Sequence, residues 1–285
     1  MTKRIVWCSD IHLNFIIRNG MQNPLEKFLY FCSEVNKLSP DAVVLTGDIT
    51  EAPHLKEHMR LLESHIQSKI YYVLGNHDFY RGRISSVREM IGRELQSDKL
   101  CYLSCDGSVP LNNDTCVIGH DGWYDGQYSN WFAPHVVRMC DYMLIGEFND
   151  KYLDYSAMPS NPEIKIFGEM QRLAKQCADH IKTTIPEACK KYKNIVFATH
   201  VPPWKENSLY KGKISNSSWL PNFSSKLTGD ALLEVARDHP DNNFTVLCGH
   251  SHTRAEFHPL PNMVSYTAKS EYNEPWLSIK LLELE

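Results

Sequence analysis

The sequence predicts an α/β fold, and three observations carry the expectation. Short β-branched or apolar runs recur along the 285 residues. Most of these runs are apolar throughout rather than alternating, which fits strands buried on both faces. Amphipathic, helix-like stretches lie between them, and strand–helix alternation implies a sheet built with crossovers.

The expected strands begin with "RIVWCS" (4–9), "DAVVLT" (41–46) and "KIYYVL" (69–74). They continue with "TCVIG" (115–119), "NIVFAT" (194–199) and "FTVLC" (244–248). "MVSYT" (263–267) and the partly alternating "WLSIKLLEL" (276–284) read as closing strands. Helices are expected at 24–38 and 53–67, each opened by a proline, and at 83–94. A long one is expected over 168–192, broken or kinked at Pro186, and another over 228–239. Two irregular stretches remain, an aromatic-rich one at about 120–165 and a second at 201–227. Long irregular segments in a compact fold are usually functional, and their aromatic content argues for order. The whole chain, 1–285, reads as one domain with these two as specificity insertions.

Composition narrows the function classes. The chain is 42% hydrophobic and 22% charged, ordinary for a globular protein. A net charge of −4, from 30 basic and 34 acidic residues, argues against a life on nucleic-acid backbone. No run approaches the 18 apolar residues of a membrane span, and no secretory signal precedes the first strand. The nine cysteines form no CxxC pair and are expected to be reduced and mostly buried, in a cytoplasmic setting.

The chemistry sits where strands end. After the first run comes "SDIH", with Asp10 and His12. After the second comes "TGDIT", with Asp48. After the third comes "GNHDFY", with Asn76, His77 and Asp78. "ATHVPPW" brings His200, and "CGHSH" brings His250 and His252. Ligands in open α/β sheets bind beyond the carboxyl ends of the strands. Aspartate, histidine and asparagine together make an oxygen–nitrogen set suited to first-row metals rather than calcium or magnesium. The seven donors Asp10, His12, Asp48, Asn76, His200, His250 and His252 are too many for one ion with an open position. They suit two ions sharing a bridging carboxylate, which can hold a phosphate and a hydroxide between them.

This ordered set, D-x-H, G-D, G-N-H-D, H and G-H-x-H, resembles the calcineurin-like metallophosphoesterase superfamily from Asp10 to His252. The resemblance implies a four-layer α/β/β/α sandwich and a dinuclear centre of Mn, Fe or Zn. By that resemblance Asp10, His12 and His252 serve one ion, Asn76, His200 and His250 the other, and Asp48 bridges. His77 matches the family's histidine that protonates the leaving oxygen or stabilises phosphate charge, and Asp78 is expected to orient it. Glu51 stands where many members carry aspartate. The chain lacks the D-R-G run and "GNHE" of the Ser/Thr protein phosphatases, and "GDIT" with "GNHD" looks more like the cyclic-nucleotide phosphodiesterase and general phosphoesterase branches.

The expected activity is hydrolysis of a small-molecule or nucleotide phosphate mono- or diester by a metal-bridging hydroxide. The rivals are a nuclease of the same superfamily and a non-catalytic module like the trafficking-coat relative, which lacks the histidine that His77 supplies. Arg254 is a candidate phosphate contact. Trp123 and Tyr124, with Tyr128, Trp131 and Phe132, are candidates for a stacking wall around a leaving group, or for a small core under the loop. His54 and His58, four apart on a helix, read as a solvated face.

Overall fold

The computed structural model describes residues 3–17, 23, 25–95, 97–152 and 162–284. Pro24, expected to open a helix, and residues 153–161 of the first insertion lie outside them. The amino-terminal half contains β1 (Lys3–Cys8), α1 (Leu13–Ile16), α2 (Glu26–Lys37), β2 (Ala42–Thr46), α3 (Ala52–His65), β3 (Lys69–Val73), α4 (Ile84–Glu94), β4 (Leu100–Tyr102), β5 (Val109–Pro110) and β6 (Thr115–Gly119). Then follow α5 (Asp141–Leu144), α6 (Gly146–Tyr152), α7 (Pro162–Cys189), β7 (Asn194–Ala198), β8 (Leu209–Tyr210), β9 (Lys213–Ile214), α8 (Lys226–Asp238), β10 (Asn243–Cys248), β11 (Ala255–Leu260), β12 (Met263–Thr267) and β13 (Lys280–Leu284).

Two sheets carry the fold. The first has the order β13-β1-β2-β3-β4, parallel except for β13. The second has the order β11-β12-β10-β7-β6-β5, with antiparallel pairing only at its edges. Ile5, Trp7, Val44 and Val73 of the first sheet meet Val117, Val196, Ala198 and Leu247 of the second in a central core. The intervening residues Val6, Cys8, Val43 and Leu45 turn outward and pack with Phe28, Leu55 and Ile91 of the first helical layer. Ile118, Ile195, Phe197 and Val246 pack likewise with Ile181 of α7 and with Leu232 and Val235 of α8. The layers run α/β/β/α. The unbroken apolar runs of the sequence are the two-sided burial of these strands.

Some elements differ from expectation. β4, β5 and β11 were not anticipated: two are very short, and β11 is an edge strand whose "AEFHPL" carries polar residues and a proline. Residues 275–278 form a 3₁₀ turn, and the closing strand starts only at Lys280. α7 runs through Pro186 unbroken. The carbonyl that loses its partner there belongs to Lys182, on an exposed face of the helix where water can reach. His58 is buried, not solvated. Its Nδ1 lies 2.8 Å from Thr50 Oγ1, its ring stacks on His54, and burial pushes its imidazole down to about 4. Cys8, Cys32, Cys116, Cys177 and Cys248 are buried, while Cys105 and Cys140 are exposed. Among the described residues no helix is long and apolar enough to cross a membrane.

Candidate metal centre

The parallel order of both sheets brings the carboxyl ends of β1, β2, β3, β7 and β10 to one edge of the sandwich. There the chain bends sharply. Asp10, His12, Asp48, His250 and His252 all have positive φ, between 42° and 68°. Side-chain-bearing residues rarely adopt this conformation, and it costs on the order of 1–3 kcal/mol each. Neighbouring backbone holds the bends: Asp10 N donates to Gly47 O, His12 N to Asp48 O and Gly249 N to His200 O, at 2.8–3.0 Å. The glycines beside the donors are close-packed. A Cβ on Gly75 would sit 2.2 Å from Asp48 Oδ1, and one on Gly249 would sit 2.2 Å from Asp10 Oδ2.

The donors fall into two groups sharing one carboxylate. Asp10, His12, Asp48 and His252 form the first, and Asp48, His200 and His250 the second; within each, one ligand atom per residue lies within 4.8 Å of the others. Asn76 joins the second group, its Oδ1 3.2 Å from His200 Nε2. All are buried except His252, which is partly so. Asp48 faces both sides: Oδ1 lies 3.4 Å from His200 Nε2, and Oδ2 lies 3.8 Å from His12 Nε2.

The tautomers fit a cation. His200 Nδ1 lies 2.8 Å from Thr46 O and His250 Nε2 lies 2.9 Å from Asn222 O. Each imidazole spends its N–H on a backbone carbonyl, which turns the lone pair of the other nitrogen inward, as metal-binding histidines require. His12 Nε2 and His252 Nε2 lie 3.3 Å apart. Two buried carboxylates so close together call for positive charge. Burial would raise Asp48, but His200, His77 and His12 hold it well below the ordinary carboxylate range. Burial acts likewise on Asp10, which His252 and His200 bring to about 2. Burial pushes His12 down to about 3 and His250 to about 4, favouring the neutral, ligating form. At His200 burial lowers and Asp48 raises, and Asp48 prevails, bringing it to about 10. The pull Asp48 exerts on that proton is a pull available to any cation.

His77 stands at the rim. Its Nε2 lies 3.9 Å from Asp48 Oδ2, its ring stacks on Tyr80 at 4.2 Å, and its backbone N–H donates to Asp48 Oδ1. Asp78 does not orient it. Asp78 Oδ1 accepts from the backbone N–H groups of Ile49 and Thr50, and Oδ2 from that of Gly75. It therefore ties the turn after β2 to the turn after β3. Glu51 accepts from Arg81 and stands outside both donor groups.

One residue in the site was not anticipated. Asp141, fully buried at the start of α5, accepts from Asn76 Nδ2 at 3.1 Å, Tyr80 OH at 2.6 Å and Tyr124 OH at 2.7 Å. The bond from Asn76 fixes its amide so that Oδ1 faces His200. Asp141 lies 65 positions from Asn76 in an irregular segment, and no periodicity marks it.

Of the two readings open for the aromatics of the first insertion, the small core is the one the structure adopts for Trp123, Tyr124 and Trp131, and they are not a stacking wall. Trp123 and Tyr124 are buried. Trp123 stacks on Phe148, and Tyr124 lies 6.0 Å from His250 with the rings nearly parallel, backing it from inside. Trp131 is buried, Tyr128 donates to Pro203 O, and Phe132 is exposed. Arg254 is exposed and lines a separate cleft with Tyr266 and Lys280. A cavity of about 220 Å³ does open over the donors, and its walls beyond them include Met139, Phe223, Ser251 and Tyr272.

Asp121, just after β6, locks the two sheets together beside the site. Its carboxylate accepts from Leu74 N, Ser104 Oγ, Tyr102 OH and the Arg88 guanidinium. Burial would raise its carboxyl, but Arg88 holds it below the ordinary value. A carboxyl depressed in the folded state adds stability above the unfolded value of about 4, and that stability is lost as pH falls below it. Asp121→Asn is expected to cost about 3 kcal/mol at pH 7, the low end for a broken buried pair because Arg88 keeps 27% of its side chain in water. Urea midpoints measured from pH 7 to pH 3 should show the variant losing less on acidification. Parallel curves for the two proteins would refute the assignment.

The sequence matches the family model of the calcineurin-like phosphoesterases over residues 3–254. The chain belongs to the calcineurin-like phosphoesterase family. It is thus a phosphoester hydrolase with residues that could hold metal ions. No curated protein matches the sequence. Among solved structures, this phosphoesterase is similar to a phosphopantetheinyl hydrolase from Mycobacterium tuberculosis. The TM-score is 0.60 and the identity 12%, over 98% of this chain and 95% of that one. It is also similar to a dimetal phosphatase from Danio rerio, with TM-score 0.58 and 12% identity, over 99% of this chain and 92% of that one. At such identity these likenesses speak for the fold.

Proposed function

We propose that this phosphoesterase hydrolyses phosphate mono- or diesters at a dinuclear centre. Asp10, His12 and His252 serve one ion, Asn76, His200 and His250 the other, and Asp48 both. The observation that carries the reading is Asp48, one carboxylate shared by two separate donor groups, in the second of which His200 and His250 each give one ring nitrogen to a backbone carbonyl and leave the other facing the site. Two such ions, when bound, supply Lewis acidity and a water acidified towards neutral pH. The chain's own residues do the rest. Asp78 and Asp141 keep the second and third strand-end turns and the Asn76 amide in place. His77, partly open to the cavity, is positioned to protonate the leaving oxygen or to hold charge on a phosphoryl oxygen. The dimetal description of the Danio rerio phosphatase, a protein similar over nearly the whole chain, supports this reading.

Neither rival gains support. Among the described residues no lysine or arginine lines the cavity over the donors, so it offers no track for a nucleic-acid backbone. A binding module would not need His77 at the rim. The test is release of nitrophenol from p-nitrophenyl phosphate and bis-p-nitrophenyl phosphate by metal-stripped protein, before and after adding Mn(II), Fe(II) or Zn(II). Turnover restored by metal is the expected result, and the faster substrate separates monoesterase from diesterase. Protein that takes up no metal would end the dinuclear proposal.

A further inference from the structure

A second cavity, of about 360 Å³, lies beside the metal centre, within the size range of small-molecule sites. Its walls come from the second insertion: Leu209 and Tyr210 of β8, Asn216, and the turn carrying Trp219 and Phe223. Phe223 and Ser251 line both this cavity and the one over the donors, so the two adjoin. The join is aromatic. Phe223 lies 4.7 Å from the ring of His250, and Trp219 meets Phe223 edge-on at 5.9 Å. Tyr210 is 66% exposed and Trp219 45%, large apolar faces left open to water. Ser251 Oγ, at the join, is buried without a hydrogen-bond partner among the described residues. Among the described residues that line this second cavity none carries a charged side chain.

We propose that this cavity receives the leaving group of the phosphoester, and that the leaving group carries an aromatic or heteroaromatic ring. The inference rests on the metallophosphoesterase reading of the neighbouring centre. Three aromatic side chains offer flat faces on which a ring can stack, and Asn216 can meet a polar substituent. The Lys211 ammonium lies 5.3 Å from the centre of the Tyr210 ring, a positive charge beside this aromatic wall. In the reaction water adds to phosphorus, the P–O bond to the ring-bearing group breaks, and that group departs as the alcohol. On this reading the ring is held by the second insertion, and Trp123 and Tyr124 of the first take the core role that was their alternative.

The test compares wild type, Trp219→Ala and Trp219→Phe on 2-naphthyl phosphate, thymidine 5′-monophosphate and glycerol 1-phosphate. Trp219 is exposed, so the variants should fold. In Trp219→Ala, kcat/KM is expected to fall about 5- to 100-fold for the ring-bearing substrates, with glycerol 1-phosphate unchanged and Trp219→Phe largely restoring the loss. Whether the naphthyl or the thymidine ester falls further distinguishes a plain aryl group from a nucleobase. Calorimetric titration of metal-free protein with 2-naphthol gives a second readout, expected to weaken by a similar factor in Trp219→Ala. Equal losses on all three substrates, or none, would overturn the proposal. If none of the three proteins turns over any substrate, the hydrolytic reading has failed by itself, and the 2-naphthol titration decides the cavity: affinity unchanged by Trp219→Ala overturns it.

Discussion

Asp48→Asn is expected to lower metal-dependent turnover about a thousandfold or more, equivalent to about 4 kcal/mol of transition-state stabilisation. The side chain stands between the two donor groups, with one oxygen towards His200 and the other towards His12. An amide keeps the shape but loses the negative charge and turns one of the two oxygens into a donor. Both groups are therefore weakened together. Metal content by mass spectrometry should drop from two ions per chain. The metal-free variant should unfold more easily than the metal-free wild type, because the pairing of Asp48 with His200, His77 and His12 outweighs its crowding with Asp10. Full metal content with turnover within tenfold of wild type would remove Asp48 from the bridging role.

His77→Ala is expected to lower kcat by about 10²- to 10⁴-fold, the range typical of a lost acid–base group, while both ions stay bound. His77 belongs to neither donor group, and its side chain is 19% exposed at the cavity rim. Its removal forfeits a stacking contact with Tyr80 but exposes no buried charge, so stability should change little. The decisive comparison is between substrates. Esters with poor alcohol leaving groups should suffer more than nitrophenyl esters, which need little protonation to depart. An equal loss on both would point to charge stabilisation at the phosphoryl oxygens. Loss of metal along with activity would make His77 a ligand instead.

Much of this site is legible in the sequence because its donors sit just past strand ends. Residue type fixes what each side chain can bind. The apolar runs that precede Asp10, Asp48, Asn76, His200 and His250 mark where a two-sided strand must stop. Parallel order then brings those ends to one edge, so an ordered list of short motifs is already a rough map of the centre. The same logic fails for residues whose role depends on a distant partner. Asp78 follows His77 in sequence and seemed its natural companion, yet its carboxylate is taken by three backbone N–H groups of two turns. His58 seemed solvated, yet it fills a buried site against Thr50.

By itself, then, the sequence determined the layered α/β class, the identity of the seven candidate ligands and the place of His77 among them. Tertiary structure alone decided the left-handed backbone at Asp10, His12, Asp48, His250 and His252, because such a conformation is held by contacts across strand ends and not by local preference. It also decided that Asp141 fixes Asn76, that Trp123 and Tyr124 are core, and that Tyr210, Trp219 and Phe223 form the open aromatic wall. Insertions have no repeating period, so their side chains take the place that burial and hydrogen bonding leave for them, and that place exists only once the sheets have met.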